Sequence, residues 1–172
     1  MDAPAVQPSP PSEGAWYACH TRPRCEKKFA ALMAAEGFEH YLPLVESIRR
    51  YGRQTKRFTK PLFTGYVFAR VPAASKSRIY QMELVARAIP VDDEAQFLVQ
   101  LDQVRKMVSS GLEMTAVPLL KRGRQVRIIG GPLDGLEGYV DDPSNPRGIV
   151  VSVDVLRQGL LVKVPAEQLH PL

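Results

Sequence analysis

Two small domains of the α+β class are what the patterning of this 172-residue chain predicts. The first is a ferredoxin-like βαββαβ domain with a basic hairpin inserted in it; the second is a small β-barrel. Three observations carry this. Residues 14–109 read in the order strand, helix, strand, strand, helix, strand. A basic run from Arg49 to Lys60, free of acids, surrounds a turn glycine, Gly52. From Leu119 onward short alternating strands are separated by glycine and proline.

Residues 1–13 are rich in Pro, Ala and Ser and are expected to be a disordered tail. Ala15–His20 is aromatic enough for a strand. Thr21 is placed to cap a helix and Pro23 to occupy its first turn. That helix is expected to reach Glu36, burying Cys25, Phe29, Leu32 and Met33, with Gly37 as the stop. Glu39–Ile48 is a second strand interrupted at Pro43, and the basic hairpin follows. Gly65–Val71 is a third strand, Ser75–Met82 a short helix and Leu84–Ile89 a fourth strand. Asp92 and Asp93 open the last helix, where acids favour the positive end. Its buried stripe is expected at Phe97, Leu98, Leu101, Val104 and Val108. Residues 110–118 have no clear period and read as a linker. In 119–172, Val126 and Ile128 alternate with Arg127, and Gly130, Gly131, Pro132, Asp134 and Gly135 concentrate turn chemistry. Tyr139-Val140, Gly148–Val155 and Leu160–Val164 are further strands, with turns at Pro143–Pro146 and Gln158-Gly159.

The formal net charge is +5 and the pI about 9.4, which favours partners carrying phosphate or acidic protein surface. No apolar run approaches the roughly 20 residues that span a bilayer. A soluble, cytoplasmic, monomeric protein is expected. Enzyme chemistry finds little support. Cys19 and His20 are adjacent, but neighbours in a strand point to opposite faces, so His20 is badly placed to activate Cys19. Cys19, Cys25, His20 and His40 lack zinc-site spacing. There is no phosphate loop, nucleophile elbow or His-Glu metal motif. Asp92-Asp93 and Asp141-Asp142 read as a helix start and a turn. The expectation is a binding protein, not an enzyme, with no cofactor and no metal.

Alternation sends Val67, Ala69 and Val71 to one face of the sheet and Tyr66, Phe68 and Arg70 to the other. On the first strand Trp16, Ala18 and His20 share one side and Tyr17 with Cys19 the other. A ferredoxin-like sheet carries helices on one face, so aromatics on the second face need a covering element or a partner. Arg22, Arg24, Lys27 and Lys28, with Arg49, Arg50, Arg53, Lys56 and Arg57 of the hairpin, form a candidate cationic rim for a nucleic-acid backbone.

These residues carry a family resemblance. Lys121–Val140 resembles a KOW motif: a strand, a glycine-proline turn and a glycine-containing return strand, with Gly123, Val126, Ile128, Gly131, Pro132, Gly135 and Gly138 at its marked positions. Trp16-Tyr17, Thr21–Arg24 with Glu26, Gly37-Phe38, Tyr41–Leu44 and Lys60–Phe68 resemble the NusG N-terminal domain. The resemblance covers about residues 14–172. It implies a domain of 14–109, a linker of 110–118 and an SH3-like KOW barrel of 119–172. It also implies a transcription elongation factor that binds RNA polymerase and modulates pausing, termination or antitermination.

In that family an apolar patch docks on the polymerase clamp helices, and the matching positions are His20, Phe63, Tyr66 and Phe68. Phe68→Asp is then expected to remove polymerase binding without unfolding the domain. The resemblance further implies recruitment of termination factor Rho or ribosomal protein S10 by the KOW domain. Non-template DNA is a further implied partner, and so is the polymerase gate loop, near Ser77–Tyr80. The short Leu84–Asp93 region and the basic hairpin look like operon-dedicated antiterminators of the RfaH and UpxY kind. A competing reading takes Gly65–Phe68 as similar to the RNP strand of RRM domains, whose sheet aromatics stack on single-stranded RNA.

Overall fold

The computed structural model describes residues 14–119, 123–142 and 148–172. The chain divides into two compact units, one ending at Asp92 and the other running from Asp93 to Leu172. The mixed α/β composition follows the patterning, but the boundary does not fall at the expected linker.

In the first unit, strand β1 spans Ala15–Thr21 and helix α1 Glu26–Ala35. β2 is the two residues His40–Tyr41, β3 is Leu44–Tyr51 and β4 is Gln54–Pro61. β5 spans Tyr66–Val71, helix α2 Lys76–Gln81 and β6 Val85–Pro90. Four strands pair in the order β2-β5-β1-β6, antiparallel throughout, so β2 and β6 are the edges. β3 and β4 form a separate two-stranded sheet. The expected break at Pro43 is present, and Gly52 turns the hairpin at φ 60°.

Helices α1 and α2 supply Phe29, Met33 and Ile79 to a core shared with Tyr17, Cys19, Val67, Ala69, Val71, Val85 and Ala88. That is the face assigned by alternation. The start of α1 differs from expectation. Thr21 stays in the strand, donating its N–H to the Gly65 carbonyl at 2.8 Å, and does not cap. Arg24 takes a left-handed φ of 62°, and Cys25 becomes the residue before the first turn. Cys25 and Leu32 are therefore only partly buried.

In the second unit, helix α3 spans Glu94–Ser109 and strand β7 Met114–Pro118. β8 is Gln125–Ile128, β9 Glu137–Val140, β10 Gly148–Val153, β11 Gln158–Lys163 and β12 Leu169–Pro171. They pair in the order β12-β8-β9-β10-β11-β7. The edge strands β7 and β12 do not pair with each other, so among the described residues the sheet is not closed into a barrel. Ile128, Leu133, Leu136, Ile149, Val151, Leu160 and Val162 are buried in this unit.

Asp93 caps α3 as expected, its Oδ1 accepting the Gln96 N–H at 3.1 Å. The buried stripe is Phe97, Gln100, Leu101, Val104 and Met107; Leu98 is exposed and Val108 only half-buried. A polar reason ties α3 to the strands after it. Gln100 Oε1 accepts the Asp154 N–H at 3.0 Å, Gln96 Nε2 donates to Asp154 at 3.2 Å, and Lys106 Nζ donates to the Asp134 carbonyl. Likewise the second half of the expected linker is strand β7, in register with β11 from Gln158↔Pro118 to Val162↔Met114. Lys121 and Arg122 of the motif and the turn at 143–146 lie outside the described residues.

Candidate functional site

Gly65 organises one end of the first sheet. It has φ 86°, which favours glycine. A Cβ there would stand 3.3 Å from the His20 ring. Its N–H donates to Glu26 Oε1 at 3.0 Å, and its carbonyl accepts from Thr21. Glu26 is buried, and this hydrogen bond holds the first turn of α1 to the β5 entrance. The result sets His20 and Tyr66, register partners on β1 and β5, in a parallel stack with centroids 4.8 Å apart and planes at 15°. His20 is exposed and Tyr66 half-buried, so the pair presents its outer surface to a partner.

The other two expected docking residues behave differently. Phe63 is 1% exposed and Phe68 0%. The segment between β4 and β5 folds back so that the Phe63 ring meets Phe68 edge-on, with centroids 6.3 Å apart. Trp16 and Ala18, on the same face, are buried as well. On this face of β1 and β5, Trp16, Ala18 and Phe68 are buried, while His20 is exposed and Tyr66 and Arg70 are half-buried. This corrects the open-face reading: of His20, Phe63, Tyr66 and Phe68, only His20 and Tyr66 reach the surface. Aromatics alternate the same way whether they serve a partner or a core, and tertiary packing such as that of Phe63 on Phe68 decides between them. The stacking platform that the RNA-binding reading needs at Phe68 is absent, and Phe68→Asp would bury a charge and unfold the unit. Ser77–Tyr80, the expected gate-loop position, lies within helix α2.

The basic residues Arg22, Arg24, Lys27 and Lys28 are exposed around the start of α1. Lys27 reaches the hairpin, donating to the Thr59 carbonyl at 2.8 Å and to its hydroxyl at 3.1 Å. In the hairpin Arg49, Arg50, Arg53, Lys56 and Arg57 are all exposed. Residues Leu44–Pro61 hold six of the chain's 23 Lys and Arg and one of its 18 Asp and Glu. That leaves 17 of each elsewhere, so the whole formal charge of +5 resides in this hairpin. Among the described residues none of its basic side chains forms an ion pair. Two rings that sequence reasoning passed over join them: Arg49 lies over Phe58 at 5.3 Å and Lys56 over Tyr51 at 5.8 Å.

In the second unit the glycine-proline turn is built as its residues require. Gly130, Gly131 and Gly135 have φ of 87°, 73° and 87°. The Gly130 N–H donates to Asp134 Oδ1 at 2.7 Å, and the Gly135 N–H to the Ile128 carbonyl at 2.8 Å. Val126 and Ile128 are buried, Gly123 and Pro132 exposed. A Cβ on Gly138 would lie 2.6 Å from the Val150 carbonyl oxygen, so the β9–β10 contact needs glycine. Cys19 is buried, and burial pushes its thiol up to about 12, which disfavours the thiolate that nucleophilic chemistry needs.

The family model described as transcription termination factor nusG matches residues 14–121. No curated protein matches the chain significantly. One solved structure to which it is similar is the crystal structure of the MjSpt4:Spt5 complex in conformation B. The identity is 18% over 91% of this chain and 96% of that chain, with a TM-score of 0.32. A score so low carries no structural inference, whereas the family match spans well over half the sequence. The chain therefore belongs to the NusG family of transcription elongation factors.

Proposed function

We propose that this protein binds RNA polymerase and modulates pausing and termination, as an operon-dedicated antiterminator of the RfaH and UpxY kind and not as an enzyme. The observation that carries the docking reading is the surface stack of His20 on Tyr66, locked by Gly65 and Glu26. A preformed aromatic pair meets the clamp helices without loss of rotamer freedom. Phe63 and Phe68 serve it from beneath, as the packing that fixes β5. Binding energy then shifts polymerase away from its paused conformation with no covalent step. The first unit is read as a ferredoxin-like domain and residues 119–172 as an SH3-like KOW domain that recruits Rho or ribosomal protein S10. The basic hairpin is read as the contact to non-template DNA.

The test is a pull-down of core RNA polymerase by the tagged full chain. His20→Ala with Tyr66→Ala is expected to weaken binding at least tenfold while Trp16 fluorescence stays native. Retention of wild-type binding by the folded double variant would falsify the docking reading. Transcription through a Rho-dependent terminator, with and without the protein, separates antitermination from termination.

A further inference from the structure

Helix α3 and the sheet of the second unit form a pocket of about 170 Å³. Gln96, Gln100 and Gln103 recur at i, i+4 and i+7, so α3 turns one amide-bearing face to it. Gln125 of β8, Tyr139 of β9 and Ser152 of β10 line the other side. Two carboxylates, Glu137 and Asp154, belong to the lining, and among the described residues no lysine or arginine does. Internal hydrogen bonds use only part of these polar groups. Gln100 is 8% exposed; its Oε1 accepts the Asp154 N–H, and its Nε2 has no partner among the described residues. Gln96 and Gln125 donate through Nε2 to Asp154 and to the Tyr139 hydroxyl, which leaves both amide oxygens as acceptors. Gln103 and Ser152, both half-buried, make no side-chain hydrogen bond among the described residues.

We infer that this pocket binds a guanidinium group, carried by an arginine within a peptide or by a free guanidino compound. The lining is rich in acceptors and carries negative charge, of which Arg127 offsets only the Glu137 share. A cation with several N–H donors complements it, whereas a phosphate or carboxylate would meet like charge. Amide oxygens and carboxylates spread around the wall suit five donors fixed in one plane better than the three donors of a compact, strongly hydrated ammonium. The buried Gln100 Nε2 adds a second requirement. A donor held away from water costs free energy until an acceptor meets it, and the carbonyl next to an arginine side chain is such an acceptor. Drug-sized ligands take pockets of roughly 300–1,000 Å³. This one is smaller and suits a single side chain or a small metabolite. The inference uses residues of the second unit alone and does not rest on the polymerase-docking reading.

The test follows the glutamine side-chain amide signals of the isotope-labelled full chain by NMR as N-acetylarginine amide is added. Propylguanidine, N-acetyllysine amide and N-acetylglutamine amide are the other arms. N-acetylarginine amide is expected to shift the Gln100 and Gln103 signals and to bind at least about threefold more tightly than the lysine and glutamine probes. Asp154→Asn and Gln103→Ala are each expected to weaken it about fivefold, with the backbone amide spectrum otherwise native. The Gln103 side chain makes no internal hydrogen bond, so Gln103→Ala decides the matter if Asp154→Asn fails to fold. Propylguanidine has the guanidinium without the carbonyl. Weaker binding of it than of N-acetylarginine amide assigns the site to an arginine within a chain, and equal binding assigns it to a free guanidino compound. Equal or tighter binding of the lysine or glutamine probe, unchanged affinity in Gln103→Ala, or no shift with either guanidine overturns the inference.

Discussion

Phe68→Ala separates a core residue from a docking residue. Phe68 is fully buried on β5, register partner of Ala18 and edge-on to Phe63. Truncating such a side chain costs about 3–5 kcal/mol, the transfer free energy plus the cavity left behind. Against a domain stability of roughly 5–15 kcal/mol that is a large fraction. In a unit this small each kcal/mol moves the melting temperature by about 4–8 °C, so a fall of at least roughly 12 °C is expected. The assay is built into the chain. Its single tryptophan, Trp16, is 2% exposed on the neighbouring strand, so its emission reports the first unit. Tyr66→Ala, at a half-buried position, should move the same transition much less. A Phe68→Ala variant within about 1 kcal/mol of wild type, yet unable to bind polymerase, would show that Phe68 is a contact and not a core residue.

The cysteines give a chemical readout: under native conditions an alkylating reagent should modify partly buried Cys25 and spare Cys19, and mass spectrometry of the labelled peptides checks this. Folding raises the Cys19 thiol from 9.0 to about 12. Its contribution is therefore complete below pH 9 and is lost as pH rises towards 12, with a slope of up to about 1.4 kcal/mol per pH unit. Cys19→Ala should remove that part of the alkaline loss in urea titrations at pH 8 and 10.5. Gly138→Ala should destabilise the second unit by about 1–3 kcal/mol, seen as faster amide exchange in β9 and β10, because its Cβ meets the Val150 carbonyl. Asp93→Ala removes the α3 cap and should cost about 1 kcal/mol, read from exchange at the Gln96 amide.

Strand alternation was legible because a two-residue period has one solution once a helix-facing side is chosen. Tyr17, Cys19, Val67, Ala69 and Val71 fall where it puts them. The hairpin was legible from Gly52 and the basic run, and the turn at Gly130–Gly135 from its own glycines. Three features were not. The fold-back of Phe63 on Phe68 is a contact between a loop and a strand, and no local period encodes it. α3 groups with the later strands, and the hydrogen bonds that join them come from Gln96, Gln100 and Lys106, polar residues that a hydrophobic stripe does not register. Strand β7 is short and ends in proline, so it reads as a linker until β11 is there to pair with it. At the candidate site, His20 and Tyr66 were found by resemblance, while Glu26 and Gly65, which hold them, were visible only as part of a helix entry and as the first residue of a strand.

The strands that border the two larger sheets have a consequence for the protein's behaviour in a crowded cell. β6 ends at Pro90, β7 at Pro118 and β12 at Pro171, and the remaining border, β2, is two residues long. Proline offers no N–H to an incoming chain, and two residues offer too short a template. Each border thus resists the addition of a foreign strand. At these borders the protection comes from the backbone and not from charge, so it persists when salt screens the hairpin.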